Sequence, residues 1–323
     1  MKFARKMSVG VVAFAVVALS ACGSGQPVTS QGSASGGGVS PGGKVVIGFS
    51  ISTMQNPYFV SMKQGIDQEA SKEGVTVAFS DSNDDASKQA NDVLNFTSQK
   101  VSVVVLNPVD SSAVAASVKA LNQAGIPVLT VDRTADSGTV LAHIGTNNVT
   151  AGEIEATTLF KGMGGKGTIA VLDGVPGASP TIDRGTGIKN ILKQTPGIQV
   201  VAEQTANFQR ADGLTVTQNM LQAHPDIQAI LSMNDEMALG AVQAIKQANL
   251  EGKIKVIGID GGTDAIQAVD QGQMVATIAQ QPALMGAQSI QQAVLVAKGQ
   301  KIDPKQATAV IVIDSSNVKK YLP

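Results

Sequence analysis

The sequence has no tryptophan, one cysteine and two histidines in 323 residues. A single cysteine excludes an intramolecular disulfide. His143 and His224 have no neighbouring cluster of ligands at metal-binding spacing, so no metal is expected. Lys and Arg number 24 against 25 Asp and Glu, a formal net charge of −1. The clustered basic surface that binds nucleic acid is therefore not in evidence. There is no G-x-S-x-G elbow to support nucleophilic hydrolysis, and no helix-turn-helix is read near the start. Asp81, Asp84 and Asp85 lack the order of a calcium-binding loop and read as a solvated, helix-capping stretch. Gly162 to Gly167 spells G-x-G-x-x-G, but it follows a helical pattern and precedes a strand. A dinucleotide site needs the reverse order, so the run reads as a helix-ending turn and no cofactor is expected.

What is present is apolar material, at 43% of residues, in a chain long enough for two domains. Lys2, Arg5 and Lys6 precede an apolar stretch, 7–19, too short to span a membrane. Leu19-Ser20-Ala21-Cys22 then looks like a bacterial lipobox. Residues 1–21 are expected to be a signal peptide and Cys22 to carry lipid, which anchors the protein to a membrane. Residues 23–43 are dominated by Gly and Ser, a flexible tether with a reach of roughly 25 Å.

From Lys44 onward, apolar runs alternate with amphipathic ones. Strands are predicted at 45–50, 75–80, 101–106 and 128–131, with helices at 57–73, 86–99 and 112–124. A second array follows. Its strands are predicted at 168–172, 199–204, 229–232, 255–259, 275–279 and 307–313. Its helices are predicted at 150–161, 183–194, 213–223, 236–248, 264–270 and 282–298. This order predicts an α/β protein with two similar doubly wound parallel-sheet lobes.

The run from Ile126 to Val131 organises the rest. It reads as a strand buried on both faces, and it stops at Asp132-Arg133. Ligands of such sheets sit beyond the carboxyl ends of the strands. Polar and aromatic residues recur at those ends: Ser52, Asn56, Tyr58 and Phe59, then Arg184, Phe208, Asn234, Asp260 and Gln280. Carboxylates accept, guanidiniums donate, amides do both, and aromatic faces suit the C–H faces of a sugar ring. Each residue also has a plainer role open to it. Asp132 and Arg133 can form a structural ion pair, Tyr58 and Phe59 can be core, Asp235 can cap a helix, and Asn56 can be a turn residue.

Taken together, Asn56-Pro57-Tyr58-Phe59, Val131-Asp132-Arg133, the stretch from Asn234 to Gly240 and Thr277-Ile278-Ala279-Gln280 resemble the periplasmic ribose-binding protein family, the sugar-binding subunits of ABC importers. The resemblance covers nearly the whole chain from Lys44. It implies a type I periplasmic binding protein fold joined by three crossings near 145–146, 280–281 and 308–310. The N-terminal lobe would be 44–145 plus 281–309, and the C-terminal lobe 146–280 plus 310–323. Ser52, Asn56, Asp132, Arg133, Arg184, Asn234, Asp260 and Gln280 would hydrogen-bond a sugar, and Tyr58, Phe59 and Phe208 would enclose it. Tyr58 departs from the family's Phe, which leaves pentoses, pentitols and hexoses open as ligands. The implied protein is not an enzyme but an extracytoplasmic, lipid-anchored monomer that closes on a small monosaccharide and delivers it to permease subunits. The alternatives are a ligand-sensing subunit for a chemoreceptor or sensor kinase and a sugar-processing enzyme that uses Asp132 and Asp260.

Overall fold

The computed structural model describes residues 44–322. The expectations for the leader, Cys22 and the tether lie outside those residues. The first array runs β1 (Val46–Ile51), α1 (Pro57–Glu73), β2 (Thr76–Asp81), α2 (Ala86–Ser98), β3 (Val103–Leu106), α3 (Ala115–Gln123), β4 (Val128–Val131) and β5 (Ala142–Thr146). The second runs α4 (Asn148–Gly162), β6 (Gly167–Asp173), α5 (Ser179–Gln194), β7 (Ile198–Thr205), α6 (Arg210–Ala223), β8 (Ala229–Ser232), α7 (Asp235–Gln247), β9 (Lys255–Asp260), α8 (Thr263–Asp270) and β10 (Ala276–Ala279). The chain then returns through α9 (Pro282–Ala297) and β11 (Lys305–Thr308) before β12 (Ile311–Asp314). Among the described residues, no helix is long and apolar enough to cross a membrane.

These elements build two six-stranded sheets, in the orders β11-β5-β4-β3-β1-β2 and β12-β10-β9-β8-β6-β7. The two lobes have the same winding, and each reverses direction beside its first strand, at β1/β3 and at β6/β8. That reversal opens a crevice at the carboxyl ends of the strands. All residues of β3 and β4 are buried. In β3, Val103 and Val105 face the core under α1 and α9, while Val104 and Leu106 face the core under α2 and α3. The alternation is the period of two expected of a strand covered on both faces. One continuous cluster fills the second lobe.

Three expectations are corrected. No strand is predicted at 142–146, because His143 and Gly145 interrupt the apolar pattern, yet β5 pairs in parallel with β4 and β11. The predicted strand at 307–313 is two strands in different sheets, broken at Ala309-Val310. The second sheet is also not wholly parallel, since β12 runs antiparallel to β10. An apolar, β-branched run carries no mark of such a break.

The chain passes between the sheets three times, from β5 to α4, from β10 to α9 and from β11 to β12. The passages lie together: Thr146 Oγ1 is 3.5 Å from Thr308 Oγ1, and Gln281 Nε2 donates to the Ala309 carbonyl at 2.9 Å. The returning helix α9 is held to the first lobe by close approach to α1. A Cβ on Gly65 would lie 1.9 Å from the Ala283 carbonyl oxygen, and one on Gly286 would lie 2.2 Å from that of Met62.

Gly65→Ala should therefore force α1 and α9 apart and destabilise the protein by about 1–3 kcal/mol, the usual range for overpacking. Gly162→Ala, where a new Cβ meets nothing within 4 Å, is the control and should not destabilise. Urea denaturation midpoints at equal slope read both; an unshifted Gly65→Ala midpoint would refute the close approach.

Candidate functional site

The strand ends of the two sheets face each other across a small cavity. Its walls are Asn56, Tyr58, Phe59, Asp132, Arg133, Pro180, Arg184, Phe208, Asn234, Asp260 and Gln280. All the residues singled out from sequence are there except Ser52.

In the first lobe, Asn56 is the N-cap of α1, and its Oδ1 accepts from Tyr58 N–H at 2.9 Å. Pro57 follows in the first turn, where its missing N–H costs nothing. The cap fixes the start of α1, so Tyr58 and Phe59 face the strand ends. Asp132 has a φ of 62°, a left-handed turn that ends β4 and projects the carboxylate. Its Oδ1 accepts from the Tyr58 hydroxyl at 2.7 Å, and its Oδ2 accepts from Asn107 Nδ2 at 3.2 Å. Burial, then the charge of Asp132, raises the Tyr58 pKa well above its ordinary value, so the phenol stays a donor. A carboxylate has about four acceptor sites, so Asp132 retains acceptors beyond these two bonds.

Arg133 is 3% exposed. Its Nη1 donates to the carbonyls of Pro108 and Val109 at 3.3 and 3.4 Å, and its Nε lies 4.0 Å from Asp132 Oδ2. That Nε has no hydrogen-bond partner among the described residues. The guanidinium lies 5.4 Å from the ring of Phe59 and 5.8 Å from that of Phe208, so it is flanked by an aromatic from each lobe.

In the second lobe, Arg184 donates through Nε to Asn148 Oδ1 at 2.9 Å and through Nη1 to the Met233 carbonyl. A guanidinium carries five donors, so the fork retains N–H groups for the cavity. Phe208 sits at a φ of 59°, seated against Gly174, where a Cβ would lie 1.9 Å from the ring. Asn234 caps α7, its Oδ1 accepting from Met237 N–H at 2.9 Å, and its Nδ2 donates to the Phe208 carbonyl at 3.3 Å. Asp260 Oδ1 accepts from Gln280 Nε2 at 2.9 Å. Burial, then the charge of Asp235, raises Asp260 well above the ordinary carboxylate range, and Arg184 opposes the shift.

Ser52 is the correction. Its N–H donates to Asn107 Oδ1 at 3.1 Å and its carbonyl accepts from Asp84 N–H at 2.7 Å, so it is stitched beneath the site rather than into its wall. Its Oγ is wholly buried and without a partner among the described residues. Asp235 does not cap α7, as its plainer alternative had it. It is buried, accepts from Thr277 Oγ1 at 2.7 Å and from Gly262 N–H at 2.9 Å, and burial pushes it up to about 6.

Sequence reasoning missed Asn107, Asn148 and Pro180. Asn107 ties the ends of three strands together: it accepts from Ser52 and donates to the Val131 carbonyl at 3.0 Å as well as to Asp132. Its signal was a polar residue directly after an apolar run, the same signal that pointed to Asp132. Pro180 lies in the first turn of α5, which starts at Ser179 rather than at Asp183.

A family model described as periplasmic binding protein domain matches residues 47–301. The ribose import binding protein RbsB of Bacillus subtilis is 44% identical over 256 residues, 79% of this chain and 83% of that protein. An ABC transporter periplasmic solute binding protein from Actinobacillus succinogenes, solved with bound D-allose, is 32% identical at a TM-score of 0.81. The match covers 86% of this chain and 100% of that one. The Caulobacter myo-inositol binding protein, solved with myo-inositol, is 34% identical at a TM-score of 0.82, over 86% of this chain and 96% of that one.

Glu155 on α4 lies under the second-lobe wall, wholly buried, with neither carboxyl oxygen partnered among the described residues. Burial raises its pKa well above the ordinary 4.5; Asp235 and Asp260 add to the shift and Arg184 opposes it. The folded chain thus keeps a proton that the unfolded chain has lost, so this group's contribution to stability falls as pH rises above 4.5. Glu155→Gln should melt with the wild type near pH 4.5 and above it at about pH 8. Calorimetric melting at both values checks this, and identical melting temperatures at the higher pH would show that Glu155 is not held neutral.

Proposed function

The chain belongs to the periplasmic binding protein domain family, in its ribose-binding-like group, and from that premise we propose that it is the substrate-binding subunit of an ABC sugar importer. It takes a small monosaccharide, ribose or a related pentose or polyol, and hands it to permease subunits. The observation that carries this is the lining of the cavity. Donors and acceptors from both lobes converge on one small cavity between the strand ends. A sugar hydroxyl both donates and accepts, and the walls offer both: Arg133, Arg184 and Asn56 beside Asp132, Asp260 and Gln280. Tyr58, Phe59 and Phe208 supply the apolar faces.

Binding proceeds by hinge closure. The lobes, 44–145 with 281–309 and 146–280 with 310–323, turn about the three crossings, and contacts from both sides favour the closed arrangement. No chemical step is required. Asp132 already accepts from Tyr58 and Asn107, which supports its role as an acceptor for a ligand hydroxyl. The ligands named for the relatives, ribose, D-allose and myo-inositol, are all small uncharged polyhydroxylated rings, which supports the class. In this reading the protein lies outside the cytoplasm, anchored through the Cys22 of the lipobox-like stretch, and acts as a monomer.

Titration calorimetry with D-ribose, followed by pentoses, hexoses and polyols, tests the function; no binding anywhere in that series would sink it. Asp132→Ala should abolish detectable binding while the protein keeps its melting transition. Phe208→Ala should weaken binding by about 1–3 kcal/mol, the value of one buried apolar side chain.

Cys22→Ala should move the protein from the membrane fraction to the soluble one when cells are fractionated. Unchanged membrane retention would refute anchoring through Cys22.

A further inference from the structure

Among the described residues, two hydrogen bonds span the cleft away from the three crossings and away from the cavity wall. Ser111 N–H donates to the Gly177 carbonyl at 3.0 Å, and Thr134 N–H donates to Ser179 Oγ at 2.9 Å. Ser111 and Thr134 lie in the loops that follow β3 and β4, in the first sheet. Gly177 lies in the turn between β6 and α5 and Ser179 is the first residue of α5, beside the second sheet. We infer that these bonds are a latch between the lobes, and that Ser179 is a positioning residue that sets how fast the cavity opens without touching what it holds. The inference rests on closure of the cleft over a ligand.

The first-lobe half is rigid. Ser111 Oγ donates to the Thr134 carbonyl at 2.7 Å, and the Ser111 carbonyl accepts from Asp136 N–H at 2.9 Å. The two loops are thereby bound to each other, so both latch donors are presented as one body. Ser111 and Ser179 are buried, while Thr134 and Gly177 are half-buried.

The second-lobe half has no local explanation. Ser179 is the first residue of α5, and the N-cap position before it is Ala178, which makes no side-chain cap bond. A serine near a helix start ordinarily serves its own helix. Here its oxygen accepts from the opposite lobe instead. Gly177 shows the same commitment. Its φ is 81°, and a Cβ there would lie 1.9 Å from Oδ2 of Asp110, across the cleft. Asp110 cannot swing away freely, because its Oδ1 accepts from Ser112 and Ala113 N–H at 2.9 and 2.7 Å. Only glycine permits this approach.

The latch is coupled to the cavity through the chain itself. Thr134 directly follows Arg133, and Ser179 directly precedes Pro180 on the helix that carries Arg184. Releasing the latch therefore loosens both arginine walls. A bond made only in the closed arrangement shifts the closed-to-open ratio by its whole worth. One ordinary hydrogen bond corresponds to about 2- to 10-fold.

The experiment compares the full chain with Ser179→Ala and Ser179→Thr. Small-angle X-ray scattering without sugar reads the closed fraction directly and needs no ligand. Stopped-flow measurement with D-ribose reads release and association separately. Ser179→Ala should scatter as a more open particle and should release D-ribose about 2- to 10-fold faster, with association changed by less than about 2-fold. Ser179→Thr, which keeps the hydroxyl, should restore both. Scattering and release identical to the wild type in Ser179→Ala would overturn the latch, as would a loss that Ser179→Thr does not repair. If D-ribose fails to bind the wild type, the transport reading fails on its own, and the scattering comparison still decides the latch.

Discussion

A guanidinium removed from water keeps its charge, so every buried arginine must be met by acceptors or be destabilising. Arg133 and Arg184, each 3% exposed, impose that condition on the two facing walls. The protein meets it mostly with backbone. Carbonyls of Pro108 and Val109 hold one fork, and the Met233 carbonyl with Asn148 holds the other. Those carbonyls are available because strands end there: a parallel strand that stops at the crevice leaves its last peptide groups unpaired by the ladder. The sheet ends are thus both the source of acceptors for the arginines and the place where a ligand sits. Phe59 and Phe208 cover the guanidinium faces, which carry no donors. Arg133 consequently lies between an aromatic of each lobe.

The second-lobe carboxyl groups are held differently from those of the first. Asp132 is surrounded by donors, the Tyr58 hydroxyl and the Asn107 amide. Asp260 has one donor, Gln280, and the charge of Asp235 stands behind it. Burial therefore dominates at Asp260 and raises its pKa, with Arg184 as the counterweight. One wall presents an acceptor held by two donors, and the other a buried carboxyl group with a raised pKa. Both suit hydroxyls, which accept either form of partner.

Much of the site was legible because two rules coincide. A β-branched run buried on both faces ends where its sheet ends, and polar residues just past that point have nowhere to go but the crevice. Asp132, Arg133, Asp260 and Gln280 satisfy both rules in the raw sequence. Ser52 follows an equally good strand, but its backbone is used to join β1 to Asn107 and Asp84, which leaves its side chain beneath the wall. Asn107 obeys the strand-end rule too, yet an Asn-Pro pair after a strand is equally a stop signal. Nothing local separates a stop from an anchor; only the positions of Ser52, Val131 and Asp132 in space do. Pro180 was hidden for another reason: α5 begins without a side-chain cap, and the proline that marks its first turn is its only local signal. The sheets themselves were easier. Their strands and helices follow hydrophobic period, whereas β5, with His143 and Gly145, and the split between β11 and β12 depend on partners far away in the chain.

That split bears on how the molecule moves. β11 ends at Thr308 in one sheet and β12 begins at Ile311 in the other, so Ala309 and Val310 alone make one of the three passages. So short a connection, lying beside two others, leaves little freedom to slide and favours rotation about the shared line. In a rotation, displacement grows with distance from the axis. Contacts beside the crossings, such as Thr146 with Thr308 and Gln281 with Ala309, persist through most of the motion and carry little information about whether the cleft is open. On the proposed hinge closure, contacts between the β3 and β4 loops and the start of α5 have no such exemption, because they join elements of different lobes. Weak bonds placed there weigh on the equilibrium more than equal bonds at the hinge. On that proposal, affinity is set by residues that face the ligand and also by those that face only the other lobe.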